Sequence, residues 1–465
     1  MKTKYKKKIP THTFDLGLHC DFLVLFDTQG IPYVKENMFL GIKDKYIETI
    51  APMKNSFKFV SKQFIHQKNH LTMPGLINGH SHLAMTLLRG IEDDLNLNKW
   101  LFERIFPLEK TFVSPSFVKA GAALAALECI RFGTTTVNDM YFFTELTAKI
   151  FDQAGLRGQF SWPLMSFPTP ENEFRKEDPL ILATKLFEKY HHNERISIGL
   201  APHAPYTCSD DLLLKILQKS NEINCPIHIH VAETKKEVED SLTEFKKTPI
   251  KRLFDLGILH SKTQCAHLVH LNDEDMDLLK YSRAKGIYNP DSNMKLASGI
   301  APITKLLSKN IPMALGTDGS ASKNDLNLFS AMNVGTKLQK VQAGSTEAFS
   351  AKQMIYMTTL GGAKLLGLEK EIGSLEVGKY ADIIQLNLHF PHYYPRHDLI
   401  SHLVYSTTGL EVDLVICHGK ILFQENSFLT LNESAITKNA IKYEKLISKE
   451  LKKLQETNTG KNAKK

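Results

Sequence analysis

Met73-Pro74-Gly75-Leu76-Ile77-Asn78-Gly79-His80-Ser81-His82 marks the point where the texture of this chain changes. Upstream, from about residue 18 to 72, apolar runs such as Phe22-Leu23-Val24-Leu25-Phe26 are broken by turn residues such as Asp27-Thr28-Gln29-Gly30, the pattern of short β-strands. Downstream, from Pro74 to about 370, short apolar strand cores alternate with longer stretches of helical spacing. The cores include Thr134-Thr135-Thr136-Val137, Ile196-Ser197-Ile198-Gly199-Leu200, Ile227-His228-Ile229-His230-Val231 and Met313-Ala314-Leu315-Gly316, and the helical stretches include Leu124 to Phe132 and Leu212 to Ile223. Strand–helix alternation over roughly 300 residues favours a parallel α/β barrel. Residues 374–424 return to strands and turns, with Gly373-Ser374, Gly378-Lys379, and Val412-Asp413-Leu414-Val415-Ile416 ahead of His418-Gly419-Lys420. The expected organisation is a barrel over 74–370 that interrupts one small β-domain made from 1–73 and 371–430. A C-terminal helix and Lys-rich tail over 431–465 follow, the end beyond about 455 being disordered.

At 465 residues, 42% hydrophobic and 23% charged, the chain has an ordinary globular composition and can bury a large core. No run approaches the roughly 18 apolar residues of a membrane-spanning helix. The basic N-terminus lacks the apolar stretch of a signal peptide. Six cysteines are scattered without a C-x-x-C pair, as in a cytoplasmic protein with reduced thiols. The net charge of +8 sits at the ends: residues 1–10 hold five lysines and no acid, and residues 449–465 hold six lysines against Glu450 and Glu456. The body is near neutral, so the charge serves solubility and gives no reason to expect nucleic acid as a partner.

Side chains at i and i+2 of a strand share a face, so His80 and His82 can present two imidazoles to one ion. Such a pair suits zinc, iron, copper or nickel better than calcium or magnesium. Polar residues recur at the C-terminal ends of the expected strands, where barrel active sites are built: Leu200-Ala201-Pro202-His203, His228-Ile229-His230-Val231-Ala232-Glu233, Gln264-Cys265-Ala266-His267 and Leu315-Gly316-Thr317-Asp318-Gly319. Five histidines and an acid at such positions point to a shared metal site.

The segments MPGLINGHSHLAMTLLRGIEDDL, APHAPYTCS, HIHVAET, NPDSNMKLASGIAP and LGTDGSAS resemble those of the amidohydrolase superfamily, specifically its nucleoside deaminase branch. The likeness to bacterial 5'-methylthioadenosine/S-adenosylhomocysteine deaminases covers nearly the whole chain. It implies a (β/α)8 TIM barrel with a small composite β-sandwich domain. It also implies one divalent metal per subunit, held by His80, His82, His230 and Asp318. Zinc is the first expectation, and iron or manganese also suit imidazole and carboxylate. Three imidazoles and a carboxylate leave room for a water whose pKa such a metal lowers to about 7. By the same likeness Asp318 takes that water's proton, Glu233 protonates the adenine ring nitrogen beside the attacked carbon, and His267 hydrogen-bonds the attacking water. His203, Glu109 and Trp100 contact the substrate alongside Glu233 and Asp318, with Glu109 on the ribose hydroxyls. The implied activity is hydrolytic deamination of an adenosine-type nucleoside (5'-methylthioadenosine, S-adenosylhomocysteine or adenosine) to its inosine analogue with release of ammonia. The partner is a small molecule, with no nucleic acid or membrane; homo-oligomer formation is left open.

Plainer roles compete with these. The plainer role of Glu233 is a helix N-terminal charge, of His203 a loop brace, of Glu109 a solvated helix charge and of Trp100 packing. His228 is read on the strand face opposite His230, in the core or supporting the ligands, and Lys295 is read near the site. Relatives that accept the amino-acid tail of S-adenosylhomocysteine hold its carboxylate with arginines after the Gly155-Leu156-Arg157 strand. Here Trp162 stands where the first is expected and Arg175 is the candidate second; a neutral aromatic cannot replace a bidentate guanidinium. The alternative is an amidohydrolase acting on aminofutalosine, guanine, cytosine or a triazine, against which Glu109 argues for a ribosylated substrate. No lysine stands near His203, where two-metal members carry a bridging one. The paired signature of nucleic-acid deaminases is incomplete: an H-x-E occurs at His192-Asn193-Glu194, but no P-C-x-x-C follows it. A catalytically inactive barrel serving in assembly would have lost ligand positions, and here all are filled.

Overall fold

Strands from the two ends of the chain build one nine-stranded mixed sheet, and the middle of the chain builds a separate nine-stranded parallel one. The computed structural model describes residues 12–91, 94–95 and 97–462. The basic residues 1–10, and Glu92 and Asp93 of the first motif, lie outside the described residues.

In the parallel sheet, Leu76–His82, Thr134–Met140, Arg157–Leu164, Ile196–Pro202, Ile227–Val231, Thr263–His267, Lys285–Tyr288 and Met313–Leu315 lie side by side in chain order. After Gly316-Thr317 the chain pairs again as Asp318–Gly319, with Asp318 opposite Ser81 and Gly319 opposite His82. One segment thus meets both edges of the sheet, which fits a TIM-barrel-like fold. Thr134–Met140 and Arg157–Leu164 are buried at every position, as parallel strands covered on both faces are. Beneath the strand ends the interior is polar, with amide side chains bonded across it. Asn138 Nδ2 donates to Gln264 Oε1 at 2.9 Å, and Gln159 Nε2 to the same oxygen at 2.8 Å. Connecting helices start on side-chain caps: Ser209 accepts from Leu212 N–H ahead of Asp210–Ile223, and Thr234 accepts from Glu237 N–H ahead of Lys235–Phe245.

In the mixed sheet, His12–Phe26 pairs antiparallel with Pro32–Lys43 and parallel with both Phe59–Ile65 and His70–Pro74. His70–Pro74 pairs antiparallel with Ile383–Asn387, Ile384 lying opposite Met73, and so joins the two ends of the chain. Leu18, Leu40, Ile42 and Ile47 from the N-terminal strands pack with Ile383, Leu414 and Ile416 from the C-terminal ones. A buried ion pair ties the two sheets, Arg157 Nε donating to Asp382 Oδ2 at 3.0 Å. Residues 374–424 are not strands and turns alone: Leu399–Tyr405 is helical, started by Asp398. The backbone of the C-terminal helix runs Glu433–Asn462, past the point where disorder is expected. Once nucleated, each further residue of a helix adds a hydrogen bond at little cost, and this one is anchored by Tyr443, whose ring lies 5.5 Å from that of Phe117, and by the buried Ile447. Among the described residues no single helix is long and apolar enough to cross a membrane. All six cysteines are buried and free.

Candidate active site

His80 and His82 at the end of the first parallel strand, His230 in the fifth and Asp318 in the last converge. One donor atom from each lies within 4.8 Å of the others. Asp318 Oδ1 is 3.3 Å from His80 Nε2 and 3.2 Å from His82 Nε2, and His230 Nε2 is 3.2 Å from His82 Nε2. Four donors about 2.0–2.1 Å from a central ion in a tetrahedron lie about 3.3 Å apart, so the spacing fits a divalent metal. Tautomers fit as well. His82 Nδ1–H donates to Met140 O at 2.7 Å and His230 Nδ1–H to His203 O at 2.7 Å, which leaves both Nε2 lone pairs facing inward. His80 Nδ1 lies 2.9 Å from His228 Nε2, and His80 Nε2, buried, has no hydrogen-bond partner in the protein. The centre favours a cation. Burial alone would lower His82, yet the Asp318 carboxylate outweighs it and pushes the imidazole up to about 9. Burial alone would raise Asp318, but the imidazoles of His80 and His82 beside it hold its carboxyl well below the ordinary range.

Beside this centre stand two groups able to handle protons. Glu233 is driven up to about 8, first by burial and then by the charge of Asp318, and so carries a proton at neutral pH. Its Oε2 is 3.7 Å from His267 Nε2. Asn293 Nδ2 donates to His267 Nδ1 at 2.9 Å, so the imidazole proton sits on Nε2, on the Glu233 side. Ala232, His267 and Asp318 all have positive φ (54°, 78° and 63°), a sparsely populated conformation for residues other than glycine. Such strain at strand ends is held by surrounding bonds. For Ala232 the holder is Glu237, whose two carboxylate oxygens accept from the Ala232 and Glu233 N–H groups at 2.8 Å each.

A cavity of about 290 Å³ opens over these groups; His82, His203, His230, Glu233, His267 and Asp318 line it, and so do Trp100 and Glu109. Glu109 is buried and pushed up to about 7 by desolvation, against the hydrogen bond that Tyr141 Oη donates to its Oε1 at 2.6 Å. Trp100 faces the cavity and packs at once, its Nε1–H donating to Ile91 O at 3.3 Å. His203 N–H donates to Leu164 O at 3.0 Å, and its carbonyl receives His230, so this residue braces a loop and faces the cavity together.

Three sequence expectations change. Alternation along Ile227–Val231 puts residues 228 and 230 on the same face, and His228 supports His80 from below the metal centre rather than pointing away. Lys295 lies outside the cavity lining, its ammonium donating to Asn324 Oδ1 at 2.8 Å. Arg175 does not line the cavity either: it is paired with Glu145 and Glu171 and lies 6.0 Å from the Trp162 ring. Sequence reasoning missed Tyr141, Glu237, and the serines on Asp318 Oδ2, Ser292 at 2.6 Å and Ser322 at 3.0 Å. Ser292, in NPDSNMKL, and Ser322, in LGTDGSAS, stood in quoted motifs, but spacing alone gives no partner for them. Asp139, which accepts from Leu83 N–H at 2.7 Å and fixes the turn after His82, was missed as well.

A cation-favouring centre open to a cavity, with a protonated acid beside it, is the apparatus of a hydrolase. The chain matches the amidohydrolase family over residues 71–422 and belongs to it. It is 42% identical over 374 residues to a 5-methylthioadenosine/S-adenosylhomocysteine deaminase of Thermoanaerobacter pseudethanolicus, covering 80% of this chain and 86% of the relative. It is 41% identical over 389 residues to a 5'-deoxyadenosine deaminase of Methanosphaera stadtmanae, covering 83% and 90%. Among solved structures, an adenosine deaminase from Xanthomonas campestris with bound zinc superposes with a TM-score of 0.91 at 32% identity, covering 95% of this chain and 100% of that one.

Proposed function

We propose that this amidohydrolase is a metal-dependent deaminase that converts an adenosine-type nucleoside to its inosine analogue, water replacing the exocyclic amine and ammonia leaving. The observation that carries the reading is the gathering of Glu233, His267 and Asp318 in one cavity that Glu109 also lines. His80, His82, His230 and Asp318 would hold one divalent ion, zinc in the first instance from the imidazole-rich donor set. Such an ion lowers the pKa of a water molecule and so supplies a nucleophile at neutral pH. Asp318, ionised and oriented by Ser292 and Ser322, accepts the proton that the water gives up. Glu233, protonated at neutral pH, donates to the purine ring nitrogen beside the carbon under attack. His267 Nε2–H hydrogen-bonds the attacking oxygen. Glu109 accepts ribose hydroxyls with Tyr141 fixing one of its oxygens, His203 contacts the substrate, and Trp100 covers the purine.

The fold that carries this chemistry is read as a closed (β/α)8 barrel over 74–370, with a β-sandwich from 1–73 and 371–430 and residues 431–465 beyond it. The pairing of Met313–Gly319 at both sheet edges supports that closure. Six free, buried thiols support a cytoplasmic setting. Loss of absorbance at the adenine band, with metal analysis of the same protein, tests the function. Glu233→Gln should keep its metal and lose about 10²–10⁴-fold in kcat. Normal turnover by that variant would sink the acid assignment.

A further inference from the structure

Directly behind the part of the cavity wall made by Phe142, Pro163, Thr169 and Pro170 lies a charged cluster that the chemistry above does not use. Arg175, last residue of the short helix Pro170–Arg175, reaches back to Glu171 and across to Glu145 in the helix Thr144–Ala154. Its Nε donates to Glu171 Oε1 at 2.9 Å, and its Nη2 pairs with Glu145. The guanidinium carbon lies 5.3 Å from the Phe143 ring centroid and 6.0 Å from that of Trp162, which is itself buried. Glu171 is 3% exposed, and its second oxygen accepts from Phe143 N–H at 2.8 Å. Two carboxyl groups therefore enclose this guanidinium, and Arg175 is not free to meet an anion. The wall in front is largely apolar, with Met165, Phe167 and Pro168 continuing it outward. The cation that does line the cavity, Lys110, is solvent-exposed, where a pair with a carboxylate contributes little.

Glu109 fixes where the ribose would lie, and Tyr141, which holds Glu109, is followed by Phe142 in this wall. We infer that the 5′ end of a nucleoside seated on Glu109 lies toward that wall. The pocket then takes adenine nucleosides whose 5′ substituent is small and uncharged (hydrogen, hydroxyl or methylthio), and Glu145, Glu171 and Trp162 around Arg175 turn away a tail ending in an amino-acid carboxylate. This rests on the nucleoside reading above. A carboxylate brought against that largely apolar wall leaves water without gaining a partner, because the guanidinium behind the wall is already paired.

The test is kcat/KM of the metal-loaded full chain on 5'-deoxyadenosine, adenosine, 5'-methylthioadenosine and S-adenosylhomocysteine. The first three should fall within about tenfold of one another and S-adenosylhomocysteine about 100-fold or more below them, through KM, as expected for an uncompensated charge. Glu145→Gln, which loosens the hold on Arg175, should raise S-adenosylhomocysteine turnover about tenfold and leave 5'-methylthioadenosine within about twofold. S-adenosylhomocysteine turned over by the unaltered chain as well as 5'-methylthioadenosine would overturn the inference and leave the deaminase reading standing. So would a Glu145→Gln protein, folded and active on 5'-methylthioadenosine, with unchanged discrimination. Failure to turn over any adenine nucleoside would overturn the deaminase reading and this inference with it.

Discussion

Replacing Glu237 by glutamine should lower both stability and turnover, although residue 237 lies outside the cavity. Its two oxygens each accept one buried backbone N–H at 2.8 Å, from Ala232 and Glu233. Ala232 sits at φ 54°, a conformation that costs a residue with a Cβ about 1–2 kcal/mol. Glutamine keeps one acceptor and turns an NH2 against the other N–H. A buried N–H left unmet costs about 1–3 kcal/mol, and the surviving bond loses its charged acceptor. The sum is about 2–4 kcal/mol, less about 1 kcal/mol if Ala232 relaxes out of its strained conformation. That relaxation would carry the Glu233 carboxyl with it, and a displacement of about 1 Å at a reacting group can cost about 100-fold in kcat. Urea unfolding gives the stability change, metal analysis checks that His230 still binds, and kcat and KM on one nucleoside give the rest. KM should move less than kcat, because the displaced group acts on the proton. A variant of lowered stability but unaltered kcat would show that Glu237 holds only the fold; one unchanged in both would refute the reasoning.

The pH dependence has a definite sign. Burial and the charge of Asp318 raise Glu233 to about 8, so the active, protonated form prevails below that value. The ratio kcat/KM should hold through neutrality and fall about tenfold per unit above about pH 8, and a ratio that climbs there would remove Glu233 as the acid. His228→Phe deprives His80 Nδ1 of its partner at 2.9 Å and should weaken metal binding about 10–100-fold in a chelator competition. Unchanged affinity would mean that packing alone orients His80. Arg157→Met strands the buried Asp382 carboxylate and should cost about 3–5 kcal/mol in urea unfolding. Adding Asp382→Leu should recover part of that loss, and no recovery would argue that the pair is not the source of the cost.

The strand positions of the converging residues were legible because the signal is local: His80, His82, His230 and Asp318 each end or follow an apolar run, and the fold brings such ends together. Glu233 and His267 were legible for the same reason. What sequence alone hid lies in pairings across distance. Tyr141 meets Glu109 32 residues away, and Ser292 meets Asp318 26 residues away. Neither separation follows from any helical or strand period. His228 was misplaced although its spacing from His230 already puts both on one face. Arg175 read as a cation free for a ligand because nothing in a linear string shows that Glu145, 30 residues earlier, has claimed it.

The last strand of the parallel sheet has one further consequence, for the order in which the molecule assembles. Asp318 reaches the histidines only because Asp318–Gly319 docks against the strand of His80 and His82, some 236 residues earlier, Asp318 lying opposite Ser81 and Gly319 opposite His82. A nascent or half-folded chain holds two or three imidazoles and no completed coordination set. On the metal site proposed above, tight metal uptake would be a late event, since it would require the first and last strands to have come together.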